Sequence, residues 1–164
     1  MKKNFIFFLF SILFIFDICL AENEFPLQDL SIEKLSTATA NIGDLVKNKK
    51  IILVDFWASW CEPCKMSFPF YNDLSKKYKN EIQIIGISLD EEAQDAENFI
   101  KKSQPLFPTF IDQKNKSIKL LKIPAIPYLF ILNSKLEILE KVRGFDKSEK
   151  NKINELLKNQ LEPK

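Results

Sequence analysis

Cys61 and Cys64 are separated by two residues in Trp57-Ala58-Ser59-Trp60-Cys61-Glu62-Pro63-Cys64, between an apolar run and a helical pattern. Two thiols at this spacing, the first at the opening turn of a helix, form the minimal device for reversible disulfide exchange. Unpaired backbone N–H groups and the positive end of the helix dipole favour thiolate over thiol at that end. Cys61 is therefore the expected nucleophile, and Cys64, one turn in and more buried, the resolving thiol. Pro63 suits the first turn, and Glu62 brings a negative charge that partly offsets the dipole. A couple becomes more reducing as its reduced form is less stabilised, so Glu62 points toward a reductant. The competing reading is half a zinc site. Zinc normally wants four ligands, which two cysteines without histidine cannot supply unless carboxylates or a second chain contribute.

The sequence contains no histidine. Ser-His-Asp and Cys-His catalysis and imidazole metal sites are thereby excluded. Haem attachment is excluded as well, because Lys65 follows Cys64. With 164 residues, 46% of them hydrophobic, the chain suits one domain with a real core. The net charge of +2 comes from lysines scattered among acids, so no nucleic-acid partner is expected. Met1-Lys2-Lys3-Asn4, the apolar stretch Phe5 to Phe16, and Cys19-Leu20-Ala21 read as the three parts of an export signal. The expected organisation is a signal peptide over 1–21 and one domain over 22–164, with an uncleaved anchor as the alternative. The apolar stretch falls short of the roughly 20 residues of a spanning helix and meets Asp17, which favours cleavage. Phe16-Asp17-Ile18 makes a poor lipidation signal before Cys19. Only Cys61 and Cys64 then remain in the mature chain, and a bridge over two residues staples little, so the pair reads as chemical rather than structural.

The elements that must position these thiols follow from periodicity. Ile51 to Phe56 is an apolar run broken only by Asp55, as in a strand buried on both faces. A carboxyl there is costly unless partnered or protonated. Cys64, Phe68, Tyr71, Leu74 and Tyr78 repeat at helical spacing through Pro69, which should kink the helix without ending it. Phe25 to Leu30 reads as an edge strand and Asn41 to Val46 as a short helix. Ile82 to Leu89 reads as a buried strand and Glu91 to Lys102 as an amphipathic helix. Phe107 to Ile111 is a third apolar run, Lys114 to Lys122 a short helix, and Tyr128 to Leu132 with Leu136 to Val142 a hairpin. Asp146, with Glu149 three residues on, caps a final helix whose stripe is Ile153, Leu156, Leu157 and Leu161. This is an α/β pattern around a mixed sheet. Trp57 is read as core and Trp60 as rim, with a partner-contacting role open for Trp60. Lys65 and Asp90 are assigned only to solvent.

Val54-Asp55-Phe56-Trp57-Ala58-Ser59-Trp60-Cys61-Glu62-Pro63-Cys64-Lys65-Met66 resembles the active-site strand and helix of the thioredoxin family. Pro69 matches the kink proline of that helix, Ile126-Pro127-Tyr128 the family's cis-proline loop, and Gly144 a glycine after the hairpin. The resemblance runs from about Ile51 to Leu157. It implies a thioredoxin-like fold, a central mixed sheet flanked by helices, with a strand-helix insertion between Asp90 and Pro127. That insertion, the export signal and the Trp-Cys-Glu-Pro-Cys wording resemble the exported TlpA/ResA-like branch, whose reductases include suppliers of reduced apocytochrome c; Asp55 looks more like classical thioredoxin.

The resemblance further implies that Asp55 sits beneath the disulfide and exchanges the proton of Cys64. A buried Asp satisfied by a neighbour is the plain alternative. Pro127 becomes the expected cis proline, with Pro124 as competitor, since X-Pro bonds are cis in only about 5% of cases. The Ile126 backbone would pair with an extended substrate. The implied activity is reduction of disulfide-containing protein substrates at the periplasm or outer face of the cytoplasmic membrane. The protein would be a monomer recharged by a membrane electron donor. No cofactor or metal is expected beyond the Cys61-Cys64 pair, since no nicotinamide or flavin fingerprint accompanies it. An oxidase or isomerase, and a binding or chaperone module without turnover, are the competing readings.

Overall fold

The computed structural model describes residues 24–27, 30, 33–35 and 42–162. The apolar run before the cysteines forms β2 (Ile51–Trp57), buried at all seven positions. A strand buried on both faces sits in the middle of a sheet. On one edge of β2 lies β3 (Ile82–Ser88), parallel, and on the other β5 (Tyr128–Asn133), antiparallel. Beyond β3 come β4 (Thr109–Ile111), parallel, and β1 (Glu33–Lys34), antiparallel; beyond β5 comes β6 (Ile138–Arg143), antiparallel. Among the described residues the sheet has six strands in the order β1-β4-β3-β2-β5-β6. The helices are α1 (Ile42–Val46), α2 (Glu62–Lys77), α3 (Ala93–Ser103), α4 (Lys116–Leu121) and α5 (Lys147–Leu161).

Alternation along β2 sends its side chains to opposite faces. Ile51, Leu53 and Trp57 join one apolar cluster with Cys64 and Phe68 of α2, Ile100 of α3 and Ile153 of α5. Ile52, Val54 and Phe56 join a second cluster, against which Leu45 of α1 and Ile118 of α4 pack. The result is a mixed sheet between two helical layers, with α2 on the Trp57 face. Gly86 on β3 makes room for that tryptophan: a Cβ there would stand 3.0 Å from Trp57 Nε1 and 3.0 Å from Thr109 Cγ2. The Trp57 ring in turn packs edge-on against Phe68, with centroids 5.1 Å apart, tying α2 to the strand that precedes it.

Two elements differ from expectation. Phe25 to Leu30 is not an edge strand in its described part: Glu24 makes an isolated bridge to Glu137, Phe25 N–H donates to Leu136 O, and the chain turns at Leu27. Phe25 drives its ring into the core, 5.0 Å from that of Phe130, and the pairing of the segment stops at the single bridge. The edge strand of this arm is β1. The run from Phe107 contributes only three residues of strand, because Pro108 has no N–H to give the ladder and only its carbonyl is used, by Gly86 N–H. The expected extra strand and helix are β4 and α4. Asp112, which is fully buried, caps α4 by accepting from the Ser117 backbone N–H at 2.7 Å. The helix expected over Glu91 to Lys102 begins two residues later, and Asp146 caps α5 as expected, accepting from Ser148 and Glu149 N–H. The export segment over 1–21, Cys19 and the new terminus at Glu22 lie outside the described residues. Among the described residues no helix is long and apolar enough to cross a membrane.

Candidate active site

After β2 the chain turns at Ala58, whose carbonyl accepts from Cys61 N–H at 3.1 Å, and α2 starts at Glu62. Cys61 is the N-cap residue in extended conformation, with no side-chain capping bond. Pro63, second in the helix, has no N–H to offer, so the N–H groups of Glu62 and Cys64 are the nearest first-turn donors that a Cys61 thiolate could face. The two cysteines are joined by a disulfide with their Cα atoms 5.3 Å apart. Cys61 keeps 5% of its surface exposed and Cys64 none. Cys61 is thus the outer of the two and Cys64 the inner. The Glu62 carboxylate, expected to oppose the helix dipole alone, is paired with the Lys65 ammonium at 2.8 Å. The pair adds less negative charge at the helix mouth than Glu62 by itself, and Lys65 is not merely solvated.

Asp55 lies on the face of β2 that carries Leu53 and Trp57, toward α2, and is completely buried. Its Oδ1 accepts a hydrogen bond from the Tyr71 hydroxyl at 3.2 Å, and its Oδ2 has no partner. Burial, partly opposed by the Tyr71 hydrogen bond, pushes Asp55 from 3.8 up to about 8. Burial also pushes the Tyr71 phenol well above its ordinary range, with Asp55 adding to the shift. Ser67, one turn before Tyr71, is buried, donates to Cys64 O at 2.8 Å and acts to lower the Tyr71 phenol against the effect of burial. Tyr71 and Ser67 were not legible as site residues: a tyrosine on a helical stripe reads as core, and nothing marks a serine beside it.

The cis peptide bond is at Ile126–Pro127. The Pro127 carbonyl accepts from Gly144 N–H at 2.9 Å, and Gly144 has a φ of 82°, a conformation that glycine adopts without strain. Ile126 packs against the cluster that holds both cysteines. Between this loop and Trp60, which is 70% exposed, runs a groove of about 800 Å³ lined by Leu89, Ile123 and Ile126, with Glu91 and Glu92 on its wall. Trp57 is fully buried, as expected.

Asp90 corrects the reading of a solvated surface acid. It is only 2% exposed. Its carboxylate accepts from Ser59 N–H at 3.0 Å, Ser59 Oγ at 2.8 Å and Ser88 Oγ at 2.7 Å. The loop that enters Cys61 is thus clamped to the end of β3. Removing the acceptor strands three donors in a mostly buried place, and each stranded donor costs about 1–3 kcal/mol when water cannot reach it. Asp90→Ala is expected to lower the stability of the oxidised protein by roughly 2–4 kcal/mol in urea unfolding, partial access to water at Ser59 being allowed for. A loss below the error of the measurement would show that the clamp carries no weight.

Among the described residues no three cysteine or acidic side chains converge where a metal ion could be held. A cysteine pair at the mouth of a helix leaving the central strand, and a cis proline before the neighbouring antiparallel strand, define a protein of thioredoxin fold. The family model described as thioredoxin-like matches residues 48–138, more than half of the sequence, and the chain belongs to that family. It is 32% identical over 125 residues to the thiol-disulfide oxidoreductase ResA of Oceanobacillus iheyensis, a match covering 76% of this chain and 64% of that protein. Against the ResA of Bacillus thuringiensis subsp. konkukian it is 30% identical over 110 residues, covering 66% of this chain and 62% of the relative. The matched part thus spans a little under two thirds of the length of these relatives. Among solved structures, StoA of Bacillus subtilis superposes with a TM-score of 0.58 at 26% identity, covering 76% of this chain and 96% of StoA.

Proposed function

We propose that the protein is an exported thiol-disulfide oxidoreductase that reduces protein disulfides through Cys61 and Cys64. The observation that carries this reading is the Cys61–Cys64 disulfide at the start of α2, with the outer sulfur's residue slightly exposed and the inner one closed off. In the cycle, Cys61 thiolate attacks one sulfur of a substrate disulfide, and the other leaves as a thiolate. Cys64 gives its proton to Asp55 and attacks the Cys61 sulfur; the mixed disulfide breaks and the second substrate sulfur leaves. Two electrons have moved to the substrate, and the enzyme is left as the disulfide. A membrane dithiol donor then restores the two thiols by the same exchange.

The groove between Trp60 and Ile126 receives the extended segment around the substrate cysteine, paired to the Ile126 backbone as an added strand. Substrates are disulfide-containing envelope proteins, apocytochrome c among the candidates. The protein works as a monomer at the periplasm or outer face of the cytoplasmic membrane, after the segment over 1–21 has directed export. No bound cofactor takes part.

The test has two arms. Reduced protein mixed with insulin should open its disulfides, and Cys61→Ser should bring the rate to background, a drop of about 1000-fold or more. Thiols trapped in intact cells should show Cys61 and Cys64 mainly reduced. A mainly oxidised pair would reverse the direction to an oxidase, and an inactive wild-type protein would leave only a binding role.

A further inference from the structure

We infer that Tyr71 is a positioning residue for proton exchange at Asp55: its hydroxyl holds one carboxyl oxygen and leaves only the other to take the proton of the resolving thiol. This rests on the thiol-disulfide reading above. Three observations carry it. The Tyr71 hydroxyl donates to Asp55 Oδ1 at 3.2 Å, both residues being shut off from solvent. Asp55 Oδ2 is buried and has no partner, so it is the oxygen left to exchange a proton. Ser67, on the same helix one turn before Tyr71, ties its hydroxyl to the cysteine end of α2 by donating to Cys64 O at 2.8 Å. Asp55, Tyr71 and Ser67 are thus the buried polar side chains between β2 and the first turns of α2, with Ser67 bonded to the backbone of Cys64.

The groups that face Asp55 are few. Its partners in register are Gly86 on β3 and Leu129 on β5, neither of which titrates. From α2 comes Tyr71, and the inferred step brings the Cys64 thiol to the same carboxyl after reduction. The other buried acids are engaged elsewhere, Asp90 by Ser59 and Ser88 and Asp112 by Ser117. Tyr71 is thus the hydrogen-bond donor that steadies the ionised carboxyl, and it opposes the burial that favours the protonated one. In the step itself, the Cys64 S–H bond breaks, its proton goes to Oδ2, and the sulfur forms the Cys61–Cys64 bond as the substrate sulfur departs with the electron pair. Losing the Tyr71 hydroxyl makes the carboxylate scarcer at a given pH.

Tyr71→Phe tests this while keeping the ring, whose packing against Phe107 and Phe145 is aromatic. The reduced protein is mixed with a bis(nitrobenzoate) disulfide, so that two coloured thiolates leave in succession, the second reporting resolution by Cys64. In the variant the pH midpoint of the second phase should move up by roughly half to one unit, so that resolution below the midpoint is about 3–10-fold slower, with the high-pH plateau and the first phase unchanged. The carboxyl carbon shift of labelled Asp55, titrated in the oxidised protein, should move in the same direction and needs no turnover. A midpoint and a titration identical to wild type would overturn the inference, as would equal slowing at every pH. A wild-type protein that never releases the second thiolate would overturn the function reading instead, and the Asp55 titration would still decide whether Tyr71 governs its proton affinity.

Discussion

Asp55→Asn is expected to make the oxidised protein more stable at pH 8 by roughly 2–4 kcal/mol, and to slow resolution of the mixed disulfide by about 100-fold. The two effects have one origin. In the unfolded chain the Asp55 carboxyl ionises near 3.8, whereas in the folded protein burial holds it protonated up to about 8. Between those values the unfolded state has released the proton and the folded state has not, so unfolding is helped by every rise in pH. Stability from this group is fully present below about pH 4, falls as pH rises, and is lost above about pH 8. At about 1.4 kcal/mol per pH unit the ceiling is about 6 kcal/mol, and relaxation around a real buried carboxyl brings the expected gain down to the range given. Urea unfolding of both proteins at pH 4 and pH 8 reads the difference directly. The gap should open with pH, and one that is equal at both would mean that Asp55 ionises normally in the folded protein.

A carboxyl placed where it costs several kcal/mol makes physical sense when a group that can both take and return a proton near working pH is wanted, in place of a permanent anion. Burial lifts Asp55 from 3.8 to about 8, so near neutral pH a fraction of the carboxyl is ionised and open to the Cys64 proton, and that fraction grows as pH rises. An affinity near working pH lets the carboxyl take up a proton and release it again at little cost. Tyr71 trims the affinity from one side and burial raises it from the other. The strain of the site is electrostatic, and the apolar layer under α2 creates it.

How much of this could be read from the residues depends on how local each cause is. The strand at Ile51–Trp57 and the helix at Glu62–Lys77 declare themselves because an unbroken apolar run and a 3.6-residue stripe are local patterns. Asp55 was legible as an anomaly for the same reason, a charge in a run where every neighbour is buried. The cis bond at Ile126–Pro127 was legible only through family resemblance, since the chemistry of Ile-Pro does not distinguish it from Lys122-Ile123-Pro124. Asp90 was misread because its burial is made by Ser59 and by Ser88, and Ser59 lies 31 residues away. The Tyr71 hydroxyl finds its acceptor 16 residues upstream, on another element. At the amino-terminal arm, Phe25 obeys a distant ring instead of the alternation around it. Polar contacts between elements are invisible to periodicity, and those contacts are what turn the cysteine pair into a site.

Cys64→Ser should hold a disulfide substrate on Cys61, while Cys61→Ser should hold almost none on Cys64. The asymmetry follows from burial and from the helix end together. Cys61 is the N-cap residue, free of any capping bond and slightly open to solvent, so a partner's sulfur can reach it and the first-turn N–H groups can steady its thiolate. Cys64 is closed off entirely and reaches only its neighbour. With Cα atoms 5.3 Å apart, the second thiol attacks within the molecule at an effective concentration far above that of any thiol in solution. Replacing it by a hydroxyl removes that attack, and the mixed disulfide then waits for an external thiol. Its lifetime should lengthen by about 1000-fold or more. Non-reducing mass spectrometry after mixing each reduced variant with a small disulfide protein checks the outcome: the adduct should accumulate on the Cys64→Ser protein and stay near background on Cys61→Ser. Equal adducts on the two variants would mean that both sulfurs are reached from outside, and the division of labour read from the helix end would be wrong. An adduct on Cys64→Ser that disappears as fast as in the wild-type protein would mean that resolution does not pass through Cys64, and the proton path through Asp55 would have no thiol to serve.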